Sequence, residues 1–116
     1  MQRKVPAAIA AAIITLSLAG APPADAAEAA AGQAAFNRIG CWGCHGYVGQ
    51  GGRDGPAIAR SALPYPAFSA FVRTTTGEMP PFTARVLPEA DLESIYAYLQ
   101  SIPPPPDPAT IPLLQQ

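Results

Sequence analysis

The stretch Cys41-Trp42-Gly43-Cys44-His45 decides how this chain is interpreted. It contains the only two cysteines and the only histidine among the 116 residues. Two cysteines separated by two residues and followed directly by histidine are typical of a c-type haem attachment site, in which each thiol adds to one vinyl group. The adjacent imidazole then serves as the proximal ligand of the iron. The sequence therefore predicts one covalent haem c, attached through Cys41 and Cys44, with His45 on the iron.

Two other kinds of site use similarly spaced cysteines. A redox-active dithiol belongs in a βαβ pattern, which this sequence does not show. A structural zinc ion normally takes four protein ligands, whereas the chain offers three cysteine or histidine side chains. Both alternatives are therefore less favoured than covalent haem.

The first residues have the pattern of an export signal. Arg3 and Lys4 precede an almost wholly apolar stretch at 5–20, and Ala24-Asp25-Ala26 is a small-x-small cleavage site. The alternative is a retained membrane anchor, because the apolar stretch is nearly long enough to span a bilayer. The cleavage site favours removal, and we predict a signal peptide at 1–26 and an exported, periplasmic protein with no membrane span after cleavage.

The charge of the predicted mature chain excludes one class of partner. Removal of residues 1–26 leaves five arginines, no lysine and seven acidic residues, a formal charge of −2. A nucleic-acid-binding domain would show a basic stripe, which is absent from the sequence. A guanidinium group pairs well with a carboxylate such as a haem propionate. Arg53, which follows soon after the haem motif, is the best candidate for that contact.

The mature chain reads as one small helical domain at 27–102 and a tail. Alanine-rich, amphipathic and proline-initiated patterns predict helices at 28–38, 66–75 and 88–101. The tail at 103–116 opens with four prolines and is predicted to be extended or loosely packed.

Helical spacing predicts how the first and last helices meet. Gly32 and Phe36 lie four residues apart on one face of the first helix. We expect this face to cross an apolar stripe of the last helix. The stripe is formed by Leu92, Ile95, Tyr96 and Leu99.

The second axial ligand follows by elimination. The predicted mature chain contains no second histidine and no lysine, and Met79 is its single methionine. Met79 lies between Gly77 and two prolines, which stiffen the backbone. A thioether on haem iron raises the reduction potential. The alternative is a methionine that fills a gap in the core.

A backbone carbonyl is also expected near the proximal histidine. A ligating histidine needs an acceptor for its other ring nitrogen, and Pro56 is well placed in the sequence to supply one. The alternative is that Gly55-Pro56 forms a plain turn.

Together, the haem motif, Gly55-Pro56, Met79-Pro80 and the last helix resemble a small mono-haem class I c-type cytochrome over about residues 28–101. The resemblance implies an all-α fold, the class I cytochrome c fold, with three to four short helices around one covalent haem and glycine- and proline-rich loops. Two departures stand out, namely a run of only 34 residues from His45 to Met79 and the missing lysines.

The resemblance also implies roles for individual residues. Cys41 and Cys44 would form the haem thioethers, and His45 and Met79 would be the axial ligands. Pro56 would present its carbonyl to the histidine.

The function implied is electron transfer and not catalysis. We expect a monomeric periplasmic carrier that accepts electrons from a periplasmic dehydrogenase and passes them to a terminal oxidase or another cytochrome. Its docking surface would include Trp42, Val48 and Pro81. Two alternatives stay open, namely a permanently bound electron-transfer subunit of a dehydrogenase complex, and a gas-binding or peroxidatic haem protein with an open iron site.

Overall fold

The structure, a computed structural model, describes residues 23–115. Four α-helices follow one another along these residues: α1 (Ala24–Ile39), α2 (Trp42–His45), α3 (Tyr65–Thr74) and α4 (Glu89–Ser101). Two short 3-10 helices follow at Pro108–Thr110 and Pro112–Leu114. No strand occurs in the described part of the chain. The all-α, cytochrome c-like fold predicted from the sequence is therefore confirmed.

Helix α1 begins earlier than the sequence predicts. Pro23 occupies its N-cap position, and Asp25 lies in the first turn, where its charge favours the positive end of the helix dipole. The helix ends at Gly40, which adopts a left-handed conformation with φ of 88° and donates its N–H to the carbonyl of Phe36. The predicted cleavage site at 24–26 lies in the first turn of α1, whereas residues 1–22 of the predicted signal peptide lie outside the described residues.

Helices α1 and α4 cross in close contact at Gly32. A Cβ atom at this position would overlap the carbonyl of Ser94 and lie 2.8 Å from the Cβ of Tyr98. Only glycine therefore allows the two backbones to approach this closely. On the exposed side of the crossing, the Arg38 guanidinium pairs with Asp91 at 2.8 Å.

The buried stripe of α4 differs from the predicted one in a single tyrosine. Tyr98, not Tyr96, is buried against Phe36 of α1, with ring centroids 5.6 Å apart. Two residues correspond to about 200° around a helix, so the two tyrosines point to different sides of α4. Tyr96 packs instead on Phe68 of α3 and donates its hydroxyl to the carbonyl of Leu63 at 2.8 Å. The hydroxyl of Tyr98 has no hydrogen-bond partner among residues 23–115.

The core lies between α1, α3 and α4. Its largest fully buried side chains are Phe36, Leu87, Leu92 and Leu99. The long connection from α2 to α3 is fastened to the end of α4, since Arg60 donates its backbone N–H to the Leu99 carbonyl at 2.8 Å. This bond holds the connection that includes Pro56 against the helical core.

The tail is less extended than the sequence predicts. After the four prolines, the Asp107 side chain accepts a hydrogen bond from the N–H of Ala109 at 2.9 Å and initiates the first 3-10 helix. Leu113 and Leu114 are exposed. Among the described residues, no helix has both the length and the apolar character needed to cross a bilayer.

Candidate haem site

The short helix α2 presents the cysteine–histidine motif. Cys41 precedes the helix and accepts the backbone N–H of His45 at 3.0 Å, which brings the first cysteine and the histidine onto successive turns. Cys41 is half-buried, Cys44 is exposed and His45 is buried, with 8 % of its surface accessible. Gly40 and Gly46 limit the helix to four residues because both have positive φ.

The structure gives His45 a fixed ring orientation. Its Nδ1 lies 2.8 Å from the carbonyl oxygen of Pro56. A carbonyl can only accept a hydrogen bond, so Nδ1 is the donor, and in the neutral form of the ring Nε2 has a free lone pair. A metal-ligating histidine is usually oriented by such a contact.

The loop between Gly51 and Pro56 packs tightly against this histidine. A Cβ atom at Gly55 would lie 2.8 Å from the carbonyl oxygen of Cys44 and 3.1 Å from Nδ1 of His45. A Cβ atom at Gly52, in the same loop, would meet nothing closer than the Cys44 carbonyl at 3.8 Å. Of these two glycines, only Gly55 is therefore required for the close approach of the loop to the histidine ring.

Gly55→Ala should destabilise the protein by about 1–3 kcal/mol, because the added methyl group overpacks the contact between His45 and Pro56. Thermal unfolding of the holoprotein measures the loss. Gly52→Ala is the matched control and should keep the wild-type midpoint. Equal midpoints for the two variants would show that the loop does not hold the histidine.

Two adjoining cavities open on the candidate site. They have volumes of about 310 Å³ and 470 Å³. The walls of the first are mainly aliphatic and aromatic and include Phe36, Val72 and Leu92. The residues that line both cavities are Cys41, His45, Pro56, Met79 and Phe82. Such walls, with a buried imidazole and two cysteine thiols among the lining residues, fit a large flat apolar group of the haem type.

Met79 reaches both cavities from the connection between α3 and α4. Its side chain is half-buried and packs against the edge of the core. Met79, the methionine selected by elimination from the sequence, thus lines the same two cavities as His45. Thioether sulfur is one of the recognised axial donors to haem iron in cytochromes c.

Arg53 is placed differently from the other predicted site residues. Its side chain is 91 % exposed and pairs with the neighbouring Asp54 at 3.0 Å. Asp54 lines the second cavity, but Arg53 lines neither of the two. The structure therefore does not bring Arg53 to the candidate site, and its contact with a propionate stays a prediction.

Two residues near the site are absent from the sequence-based prediction. Phe82 lines both cavities, and the signal that could have indicated it is an aromatic residue three positions after Met79. Arg73 has only 18 % of its side chain exposed. Its position next to the buried Val72 at the end of an amphipathic helix was the available signal.

An exposed aromatic pair lies beside the haem motif. The rings of Trp42 and Tyr47 stack nearly parallel, with centroids 5.4 Å apart. Trp42 and Val48 have 41 % and 40 % of their surface exposed. Trp42 and Val48 belong to the predicted docking surface, whereas Tyr47 was not part of that prediction.

The surroundings of the cysteines also bear on the two alternative sites. Burial raises the pKa of the Cys41 thiol, whereas a catalytic dithiol needs a lowered thiol pKa. Among residues 23–115, no group of three or more histidine, cysteine or acidic side chains could hold a metal ion such as structural zinc. Both observations agree with thiols that serve as attachment points.

Comparison with known proteins identifies the family. The family model described as cytochrome c oxidase, cbb3-type, subunit III matches residues 27–99, which is more than half of the chain. Searches of the curated proteins and of the solved structures found no match. The matched region contains helix α2, the five residues that line both cavities, and most of α4. The chain therefore belongs to this family of c-type cytochrome domains.

Proposed function

We propose that this chain is a periplasmic one-electron carrier in which Cys41 and Cys44 hold a single covalent haem c. His45 and Met79 are the proposed axial ligands of its iron. The observation that supports this most is that these two side chains and Cys41 line the same pair of cavities. When bound, haem c supplies a one-electron couple between ferric and ferrous iron.

The chain's own residues each contribute to that task. The Pro56 carbonyl holds the His45 ring and leaves Nε2 available as a donor. Met79 would take the remaining ligand position on the iron and would exclude small exogenous ligands. The apolar walls keep water away from the site, which favours the less charged, reduced state. These roles favour electron transfer over catalysis.

The signal-like first residues of the sequence and the cytochrome family support the proposed compartment and partners. We propose that 1–26 is a cleaved signal peptide, 27–102 the cytochrome domain and 103–116 a proline-rich tail. The proposed donor is a periplasmic dehydrogenase, and the proposed acceptor is a terminal oxidase or another cytochrome. The exposed surface formed by Trp42, Tyr47 and Val48 is suited to the small contacts of transient redox partners.

The second candidate function is a permanently bound electron-transfer subunit of a larger redox complex. Two observations favour it, namely that the family description names an oxidase subunit and that the tail exposes Leu113 and Leu114. Gel filtration of a periplasmic extract separates the candidates, because a carrier elutes at the size of a monomer and a subunit elutes with its complex.

A potentiometric titration of the purified holoprotein tests the proposed function. We expect one reversible transition with a one-electron slope, and we expect the ferrous protein not to bind carbon monoxide because Met79 occupies the site. Stoichiometric binding of carbon monoxide by the unmodified protein would instead indicate an open-site haem protein.

A further inference from the structure

The segment that carries Met79 is not held by hydrogen bonds of its own. Residues 76–81 connect the end of α3 to Phe82, and no hydrogen bond joins them to the rest of residues 23–115. Two prolines stiffen the segment but do not fix its position relative to the core. The location of Met79 therefore depends on how the two ends of this segment are anchored.

Arg73 anchors the C-terminal end of this segment, at Phe82. Its Nη1 donates hydrogen bonds to the carbonyl of Phe82 at 2.9 Å and to the carbonyl of Leu87 at 2.7 Å. Its Nη2 donates to a carboxylate oxygen of Glu89 at 2.7 Å. The backbone N–H of Phe82 donates to the carbonyl of Val72 at 3.0 Å. Phe82 is thus held by both of its backbone polar groups, and the segment becomes a closed loop.

The acidic partner of Arg73 is itself held in place. Glu89 accepts hydrogen bonds from the hydroxyls of Tyr65 and Ser69, both on α3. The Tyr65 hydroxyl and the Arg73 guanidinium hold the pKa of Glu89 below its usual value, so its carboxylate is charged at neutral pH. The guanidinium therefore meets a fixed anion at the start of α4.

This arrangement requires an arginine. A planar guanidinium has five donors in a fixed fork and can join three acceptors on different segments, whereas a lysine ammonium is a compact point charge on a flexible stem. Hydrogen bonds from a charged donor are roughly twice as strong as neutral ones. The two hydrogen bonds from Arg73 to the carbonyls of Phe82 and Leu87 are partly buried, whereas Glu89 is exposed to solvent.

We propose that Arg73 is a positioning residue for Met79. It closes the loop at Phe82 and thereby keeps the methionine in the cavities that it shares with His45. The proposal rests on the proposed function, in which Met79 is an axial ligand. Loss of the three hydrogen bonds should let residues 76–81 swing outwards more often and admit an exogenous ligand.

Imidazole binding to the ferric holoprotein measures how often the loop opens. Arg73→Gln should bind imidazole at least about tenfold faster than the wild type, because the loss of even one hydrogen bond to a charged group accounts for a change of that size. Arg85→Gln is the matched control, because Arg85 is exposed on the same connection and makes no ion pair within residues 23–115. It removes the same charge and should keep the wild-type rate.

Amide hydrogen exchange of the holoprotein gives a second measurement that does not depend on the iron. In Arg73→Gln, the N–H groups of Phe82 and Leu87 should lose protection, whereas in Arg85→Gln they should keep it. Arg73→Lys retains the half-buried charge and should give intermediate rates and protection. It serves as the test variant should Arg73→Gln fail to accumulate.

The outcomes separate this proposal from the one on which it rests. Wild-type imidazole binding and wild-type exchange in the Arg73 variants overturn the positioning role, even when Met79→Ala binds imidazole faster. Unchanged imidazole binding in Met79→Ala overturns the proposed ligand instead, and the positioning role falls with it.

Discussion

Replacing both Cys41 and Cys44 by alanine should leave the exported chain without a stable fold. Without covalent attachment, the apolar cavity of about 310 Å³ would lose the group that we propose fills it. At about 24 cal/mol per Å³, an unfilled cavity of this size costs roughly 7 kcal/mol. Small domains are stable by only about 5–15 kcal/mol in total, so this single loss removes most of the stability.

Circular dichroism of the purified double variant checks this expectation. We predict a non-cooperative thermal transition, in contrast to a cooperative one for the holoprotein. Gly43→Ala is the control, because it changes the residue between the cysteines, keeps both thiols and places its methyl group where no atom lies within 4 Å. A double variant that unfolds cooperatively at the wild-type midpoint would show that the core does not depend on a bound group.

Met79→Ala has the second large expected effect. Removal of the thioether should abolish the weak long-wavelength absorption band of methionine-ligated ferric haem and allow the ferrous protein to bind carbon monoxide. The reduction potential should fall by on the order of 0.1 V, within the span of about 0.8 V that axial ligands cover. The reason is that a soft sulfur donor raises the potential.

Optical spectra and a potentiometric titration measure these changes. Thr76→Ala is a suitable control because Thr76 is exposed in the same segment and lines neither cavity. It should keep the band and the potential. If Met79→Ala also keeps them, Met79 is a packing residue and another group completes the coordination of the iron.

The helices were largely predictable because their apolar residues recur at helical spacing. Helices α3 and α4 lie within one residue of the predicted bounds. Helix α2 was not predicted, because four residues are too few to show a period. The sequence-based choice of Tyr96 instead of Tyr98 for the helix crossing was wrong for a related reason. Both tyrosines are compatible with an apolar stripe, and only the crossing at Gly32 decides which of them faces α1.

The candidate site was predictable where residue identity is enough. A lone histidine after two cysteines and a single remaining methionine leave little choice. The site was not predictable where side-chain direction matters. Arg53 lies in a glycine-rich loop and is 91 % exposed beside Asp54. Arg73 lies in the last turn of α3 and reaches three acceptors, two on the connection to α4 and one at the start of α4. Spacing along the chain does not encode that difference, because it arises from how α3 packs beside the start of α4.

The mass of the intact exported protein, measured after denaturation, tests the central claim most directly. Thioether bonds survive unfolding, so the account predicts the mass of the chain cleaved after Ala26 plus one haem. Replacement of Cys41 and Cys44 by alanine should abolish the added mass. A denatured wild-type protein that shows the polypeptide mass alone would contradict the account.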